Sequence, residues 1–184
     1  MSDAVSTPLS LLVFGGGWLG RAAAREALRR GGKAAATSRD PATRAALEAE
    51  GVTAIDPADE AALATAVAGA SALLITAPPD AQGCPGLRGL IPAITLSGAW
   101  PDWIGYISST AVYGDRAGGW AFEDDALNAA TLEGARRVPS VSDAMRRFYR
   151  DSKRLSNAKA KAELGWRPKY PGWREGLEAM ISRA

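Results

Sequence analysis

The sequence contains no histidine and only one cysteine, Cys84. Without histidine, no mechanism can use imidazole as a general base, a proton shuttle or a metal ligand. A single cysteine excludes an internal disulfide and a zinc site built from several cysteines. Cys84 lies in a loop rich in proline and glycine, and this context favours an unreactive thiol over a reactive one.

Long apolar runs and an excess of one charge are also absent. No stretch is apolar over the length that spans a bilayer, and the N-terminus lacks the basic-then-apolar order of a secretory signal. The formal net charge of +2 is too small to indicate a nucleic acid or a membrane surface as partner. We therefore expect a cytoplasmic protein that binds neither.

Short apolar segments alternate with segments of helical period through the first part of the chain. This alternation predicts parallel βαβ units with right-handed crossovers. The fold class is therefore α/β, a Rossmann-like doubly wound parallel sheet of about five strands in the order 3-2-1-4-5, with a C-terminal helical tail. The predicted strands are 9–14, 33–38, 52–56, 72–76 and 103–108, and the predicted helices are 18–30, 41–50, 59–68 and 90–97.

Proline and glycine place the boundaries after the fourth strand. Segment 78–89 is dense in both residues and is predicted to be a loop. The helix over 90–97 then has Pro92 in its first turn, where the missing amide costs little.

The alternation stops after Gly114. Segment 115–140 has turn residues and no clean period, and helices are predicted afterwards at 142–150, from a cap at Ser156 or Asn157 to Leu164, and at 173–182. We predict a nucleotide-binding domain over 1–135 and a helical C-terminal segment over 136–184 that packs on it.

The sequence GGGWLG at 15–20 satisfies the pattern G-x-G-x-x-G and joins a predicted strand to a predicted helix. In this context Gly15 permits a tight turn, Gly17 lets the backbone approach a pyrophosphate, and Gly20 lets the helix pack on the sheet. Trp18 and Leu19 belong to the same binding loop. The pattern predicts a dinucleotide site, and the alternative is a structural strand-to-helix turn.

The end of the second predicted strand bears on the choice of dinucleotide. NAD sites usually carry an acid there for the ribose 2′-hydroxyl. This chain has Ser38 and Arg39, and a guanidinium can pair with a 2′-phosphate. Asp40 is the competing candidate, but it also fits a helix cap before Pro41. The sequence favours NADP, with NAD as the alternative.

Residues at the ends of the other strands complete the predicted cofactor site, because ligands bind at the carboxyl ends of parallel strands. Asp56 ends the third strand and is placed to meet the adenine amino group. Thr76, Ala77 and Pro78 follow the fourth strand and are predicted to line the crevice near the ribose and pyrophosphate.

Three blocks together resemble the extended or atypical short-chain dehydrogenase/reductases of the NAD-dependent epimerase/dehydratase superfamily. They are GGGWLG at 15–20, YISSTAVYGD at 106–115 and KRLSNAKAKAELGWRPKYPGWREGL at 153–177. The resemblance covers the N-terminal half and about the last thirty residues, and it implies an NAD(P)-dependent oxidoreductase or a nucleotide-sugar epimerase or dehydratase.

The resemblance also implies catalytic positions. The Ser109 hydroxyl would meet a substrate oxygen with Thr110 beside it, and a tyrosine and lysine spaced Y-x-x-x-K would act as acid and base. Here Thr131 and Ala135 stand where that pair would align, so the pair is not found. Tyr113 is then the only tyrosine near the site, although no lysine follows it at the right spacing.

The chain also differs from the family in extent. It resembles a member that lacks the middle substrate-binding region, including a sixth strand and most of the helix that carries Y-x-x-x-K. Because family dimers use that helix, both a monomer and a homodimer stay open.

Two functions follow from the sequence. The first is the NAD(P)-dependent enzyme, and the second is a non-catalytic NADP-binding sensor or partner-binding protein that has lost the Tyr/Lys pair. The basic residues after position 135 have helical spacing and favour a solvated face over a nucleic-acid site.

Overall fold

The computed structural model describes residues 8–80, 82–126 and 154–181. Backbone contacts divide the chain into two units, Met1–Ile107 and Ser108–Ala184.

A five-stranded parallel sheet forms the centre of the first unit. Its strand order is β3-β2-β1-β4-β5, which confirms the predicted fold class and order. The central strand β1 is almost entirely buried, as its continuous apolar run predicts. The strands are β1 (Ser10–Phe14), β2 (Lys33–Thr37), β3 (Thr53–Ile55), β4 (Ala72–Ile75) and β5 (Trp103–Tyr106).

Four helices connect these strands, and two of them begin at an aspartate cap. The Asp40 carboxylate accepts hydrogen bonds from the amides of Ala42 and Thr43, and the Asp59 carboxylate accepts one from Ala62. These bonds satisfy amides that have no partner within the helix. The helices are α1 (Trp18–Arg29), α2 (Pro41–Glu48), α3 (Glu60–Ala68) and α4 (Pro85–Ser97).

The helices cover both faces of the sheet. Leu12 belongs to a core cluster with residues of α3 and α4, whereas its neighbour Val13 belongs to a second cluster with residues of α1 and α2. Successive strand residues point to opposite faces. The two clusters are therefore the two sides of one doubly wound sheet.

Helix α4 differs from its prediction. It begins at Pro85, five residues earlier than expected, so Pro92 lies in its interior and not in its first turn. Proline is favoured at the first helical position, which explains the early start. Gly86 and Gly89, which suggested a loop, allow close packing: a Cβ at Gly86 would lie 2.8 Å from Ile75 Cγ2, and one at Gly89 would lie 3.3 Å from the Phe14 ring.

An ion-pair network joins α1 to the residues after α2. The Glu50 carboxylate accepts hydrogen bonds from the guanidinium groups of Arg21 and Arg25. These two bonds lower the pKa of Glu50 to about 2. The charged form of Glu50 is therefore stabilised in the folded chain.

The second unit contains short elements. A 3₁₀ helix spans Thr110–Tyr113, and β6 (Trp120–Ala121) pairs in parallel with β7 (Arg154–Leu155). Helices α5 (Ala158–Glu163) and α6 (Trp173–Ile181) follow, close to two of the predicted helices. Strands β6 and β7 were not predicted from the sequence, and the predicted helix at 142–150 lies outside the described residues. Across the described parts of the chain, no helix has the length and apolarity to cross a membrane.

Candidate functional site

The glycine loop lies at the junction of β1 and α1, as predicted. Its backbone is fixed from both neighbouring strands. The Gly15 amide donates to Thr37 Oγ1 at 3.0 Å, and the Gly16 amide donates to the Thr37 carbonyl at 2.6 Å. On the other side, Thr76 Oγ1 donates to the Gly15 carbonyl at 2.6 Å. The loop is therefore anchored by hydrogen bonds to both neighbouring strands.

The three glycines of the pattern have different surroundings. Gly15 has φ +115°, and a Cβ there would lie 2.7 Å from Thr76 Oγ1, so the position excludes other residues. A Cβ at Gly20 would collide with the Gly15 carbonyl and lie 2.9 Å from Val13 Cγ1. At Gly17 a Cβ would meet no atom of the described residues within 4 Å. Packing thus explains Gly15 and Gly20, whereas packing against the described residues does not explain the missing side chain at Gly17.

The amino end of α1 is suited to an anion. Gly17 is its N-cap residue, no side chain caps the helix, and no acid lies in its first turn. The first amides of a helix have no partner within the helix and carry the positive end of its dipole. A phosphate could accept hydrogen bonds from them.

An open cleft of about 800 Å³ lies over this loop. Apart from Asp56, all the residues predicted to bind the cofactor line it: Gly15, Gly17, Trp18, Leu19, Gly20, Ser38, Arg39, Thr76, Ala77 and Pro78. The carboxyl ends of β1, β2 and β4 bring them together.

Asp56 is not among the lining residues; its neighbours Pro57 and Ala58 are. The Asp56 carboxylate forms an ion pair with Arg44 at 3.0 Å and accepts a hydrogen bond from the Ala58 amide at 3.0 Å. Arg44 also donates to the Ser38 carbonyl at 2.7 Å. Asp56 is therefore engaged in holding the ends of β2 and β3 together, and its predicted contact with adenine stays a prediction.

The end of β2 presents a cation to the cleft. Arg39 is exposed and lines the cleft, and no carboxylate within the described residues forms an ion pair with it. The Asp40 carboxylate is used by the cap of α2 and by the Thr43 hydroxyl, at 2.5 Å. The hydrogen bond from that hydroxyl is the main reason why the pKa of Asp40 lies below its usual value.

Sequence reasoning missed a second charged group in the cleft, the pair Asp80 and Arg88. Arg88 Nη1 and Nη2 lie 2.9 and 2.5 Å from the two Asp80 carboxylate oxygens. Both residues line the cleft. The Arg88 hydrogen bond, followed by that from the Gln82 amide, lowers the pKa of Asp80. Both lie in the segment predicted to be a loop, so no helical spacing indicated that they meet.

The predicted catalytic residues lie in the second unit. Ser109 directly precedes the 3₁₀ helix, and Thr110 and Tyr113 lie within it. Ser109 and Thr110 are exposed, whereas Tyr113 is half-buried. The Ser109 carbonyl accepts a hydrogen bond from the Val112 amide at 3.2 Å. The catalytic roles of these residues stay a prediction.

Solved structures share the architecture. A functionally unknown conserved protein from Silicibacter pomeroyi matches 95% of this chain and 98% of its own chain, at 23% identity and a TM-score of 0.77. A short-chain dehydrogenase/reductase superfamily protein from Agrobacterium tumefaciens with bound NAD matches 79% of this chain at 20% identity and a TM-score of 0.50. The chain has a Rossmann-like α/β fold.

The comparisons show the fold alone. The chain spans 47% of the length of the Agrobacterium protein. An NADPH-dependent quinone oxidoreductase from Escherichia coli, complexed with NADPH, is 32% identical over 56% of this chain, but its TM-score of 0.43 is too low to bear on the fold. No protein family and no curated protein matches the chain.

Proposed function

We propose that the first unit binds NADP(H) in the cleft over the glycine loop. The open space at Gly17 carries this proposal, because a close approach of a ligand to the backbone accounts for the missing side chain. The amino end of α1 would hold the diphosphate. Thr76, Ala77 and Pro78 would lie along the ribose and pyrophosphate.

The preference for NADP over NAD rests on Arg39. A guanidinium in the cleft can hold a 2′-phosphate through two parallel hydrogen bonds, and Ser38 would add a third. An acid at the end of β2 would favour NAD, but the carboxylate of Asp40 is occupied by the cap of α2.

We further propose that the protein is an oxidoreductase or a nucleotide-sugar epimerase or dehydratase of the short-chain dehydrogenase/reductase type. When bound, the cofactor supplies hydride transfer. Ser109 would polarise a carbonyl or hydroxyl of the substrate, with Thr110 and Tyr113 beside it. The resemblance of segments 106–115 and 153–177 to that family supports this proposal.

The second candidate function is a non-catalytic NADP-binding sensor. The residues at 131 and 135, threonine and alanine, favour it because neither can serve as the family's acid/base pair. In this case the cleft would bind the dinucleotide and no hydride would be transferred.

The two functions are separated by binding and turnover measurements. NADPH and NADH are titrated by fluorescence, and turnover is then assayed on a panel of carbonyl substrates with Ser109→Ala as the matched variant. We expect saturable binding with NADPH tighter than NADH. If the wild type turns over a substrate and the variant does so more slowly, the enzyme is supported. If the nucleotide binds tightly but no turnover depends on Ser109, the sensor is supported. If neither nucleotide binds, the cleft is not a dinucleotide site.

A further inference from the structure

Among the residues that the structure describes, three with charged side chains line the cleft: Arg39, Asp80 and Arg88. Two cations therefore share one acid, in a cleft for which we propose an anionic ligand. The acid is in direct contact with Arg88, through both carboxylate oxygens. In such a cleft a carboxylate opposes the binding of an anion, so the pairing of Asp80 with Arg88 bears on the affinity for the ligand.

The packing of α4 explains why Arg88 reaches the cleft. A Cβ at Gly89 would lie 3.3 Å from the Phe14 ring, and Phe14 directly precedes the glycine loop. The missing side chain at position 89 lets α4 pack closely against this ring. Arg88, beside Gly89, consequently lines the same cleft as Gly15 and Gly17.

The loop that carries Asp80 does not depend on Arg88 for its shape. The Asp80 amide donates to the Gly83 carbonyl at 2.8 Å, and the Gly83 amide donates to the Asp80 carbonyl at 3.1 Å. The Gln82 amide donates to Asp80 Oδ1 at 2.8 Å. An asparagine at position 80 has a carbonyl oxygen that can accept this last bond. The charge of Asp80 can therefore be removed with the loop kept.

The guanidinium of Arg88 also has N–H donors that its pairing with Asp80 does not use. It carries five N–H donors, and its end-on pairing with Asp80 leaves others for a ligand. Arg39 acts on the same carboxylate, because its charge helps to lower the pKa of Asp80. Asp80 thus reduces the positive potential that both arginines present to an anion.

We propose that Arg88 binds the diphosphate of the dinucleotide and that Asp80 is an internal counterion that competes with this diphosphate for Arg88. Asp80 then limits the affinity of the cleft for every ligand that carries the diphosphate. This inference rests on the proposed function. It assigns Arg88 to the group that NADPH and NADH share, whereas Arg39 meets the 2′-phosphate that only NADPH has.

The test compares Asp80→Asn and Arg88→Gln in the full chain, with NADPH and NADH as probes at low ionic strength. Asp80→Asn is expected to tighten the binding of both nucleotides by about threefold to tenfold, the effect of one nearby charge. Arg88→Gln is expected to weaken both by at least as much. The ratio of the two affinities is expected to stay the same in Arg88→Gln. In Asp80→Asn, NADPH is expected to gain at least as much as NADH, because the lost charge also acts on Arg39, and the gain shrinks as salt is added.

Glu26→Gln is the matched control. It removes one negative charge from α1, where Glu26 pairs with Arg29 and Arg30 and does not line the cleft. Its affinities are expected to equal those of the wild type. Thermal unfolding of each variant verifies that the fold is retained.

A purely structural ion pair would give another result, in which both Asp80→Asn and Arg88→Gln weaken binding. That outcome, or unchanged affinities in Arg88→Gln, overturns the inference and leaves the proposed function standing. A wild-type chain that binds neither nucleotide overturns the proposed function, and this inference with it.

Discussion

Replacing Gly17 by alanine adds one methyl group to a place where the protein itself leaves room. The backbone there has φ −67° and ψ −170°, which any residue adopts, and the added Cβ meets no protein atom within 4 Å. Alanine stabilises such a position by about 0.4–1 kcal/mol through the unfolded chain. It is a poorer N-cap than glycine by a similar amount, roughly 0.5–1 kcal/mol. The two effects cancel, so the free energy of unfolding is expected to change by less than about 1 kcal/mol.

The same methyl group is expected to weaken dinucleotide binding. It would project into the space through which we propose that the diphosphate approaches the backbone. The loop cannot move aside, because hydrogen bonds with Thr37 and Thr76 hold Gly15 on both sides. We expect the Kd for NADPH to rise at least about tenfold, which corresponds to about 1.4 kcal/mol.

The assay pairs NADPH fluorescence titration with urea unfolding of the same preparation. Gly20→Ala provides the contrast, since its Cβ would collide with the Gly15 carbonyl and lower stability itself. A Gly17→Ala protein that binds NADPH as tightly as the wild type would refute the reasoning. A large loss of stability in that variant would show that the space is not open.

Three further predictions concern other residues of the first unit. Arg39→Gln is expected to weaken NADPH binding about tenfold or more and to leave NADH binding unchanged, because only NADPH has a 2′-phosphate; equal losses for both would assign Arg39 to a shared group. Thr37→Val leaves the Gly15 amide without its acceptor and is expected to lower the free energy of unfolding by about 1–3 kcal/mol; an unchanged urea midpoint contradicts this. Glu50 has a folded pKa of about 2, below its ordinary value of 4.5, so its contribution is present above about pH 4.5 and is lost as the pH falls towards 2. The stability difference between wild type and Glu50→Gln, followed by thermal unfolding at several pH values, should therefore shrink over that interval, and a constant difference would argue against the ion pairs.

The parts of the fold that depend on local pattern were predictable from the sequence. The apolar run of β1, the cap at Asp40 and the glycines at the β1–α1 junction each carry a signal within a few residues. The strand order followed from the alternation of strands and helices, because parallel strands need crossover connections. The cleft at the carboxyl ends of the strands followed from the same topology.

The features that were missed depend on contacts between distant segments. Helix α4 begins at Pro85, and its glycines Gly86 and Gly89 pack against the sheet. The sequence alone cannot separate such glycines from those of a loop. Asp80 and Arg88 are eight positions apart, and this spacing predicts no contact until the start of α4 is known. The pairing of β6 with β7 joins residues more than thirty positions apart, and each strand has two residues.

The cap at the start of α2 also determines how the proposed preference for NADP could be redesigned. An acid that accepts a hydrogen bond from a ribose hydroxyl must have its carboxylate available. The Asp40 carboxylate already accepts hydrogen bonds from the amides of Ala42 and Thr43. If this carboxylate bound the ribose instead, α2 would lose its N-cap. An engineered switch towards NAD therefore has to start at position 39, where the side chain faces the cleft and caps nothing.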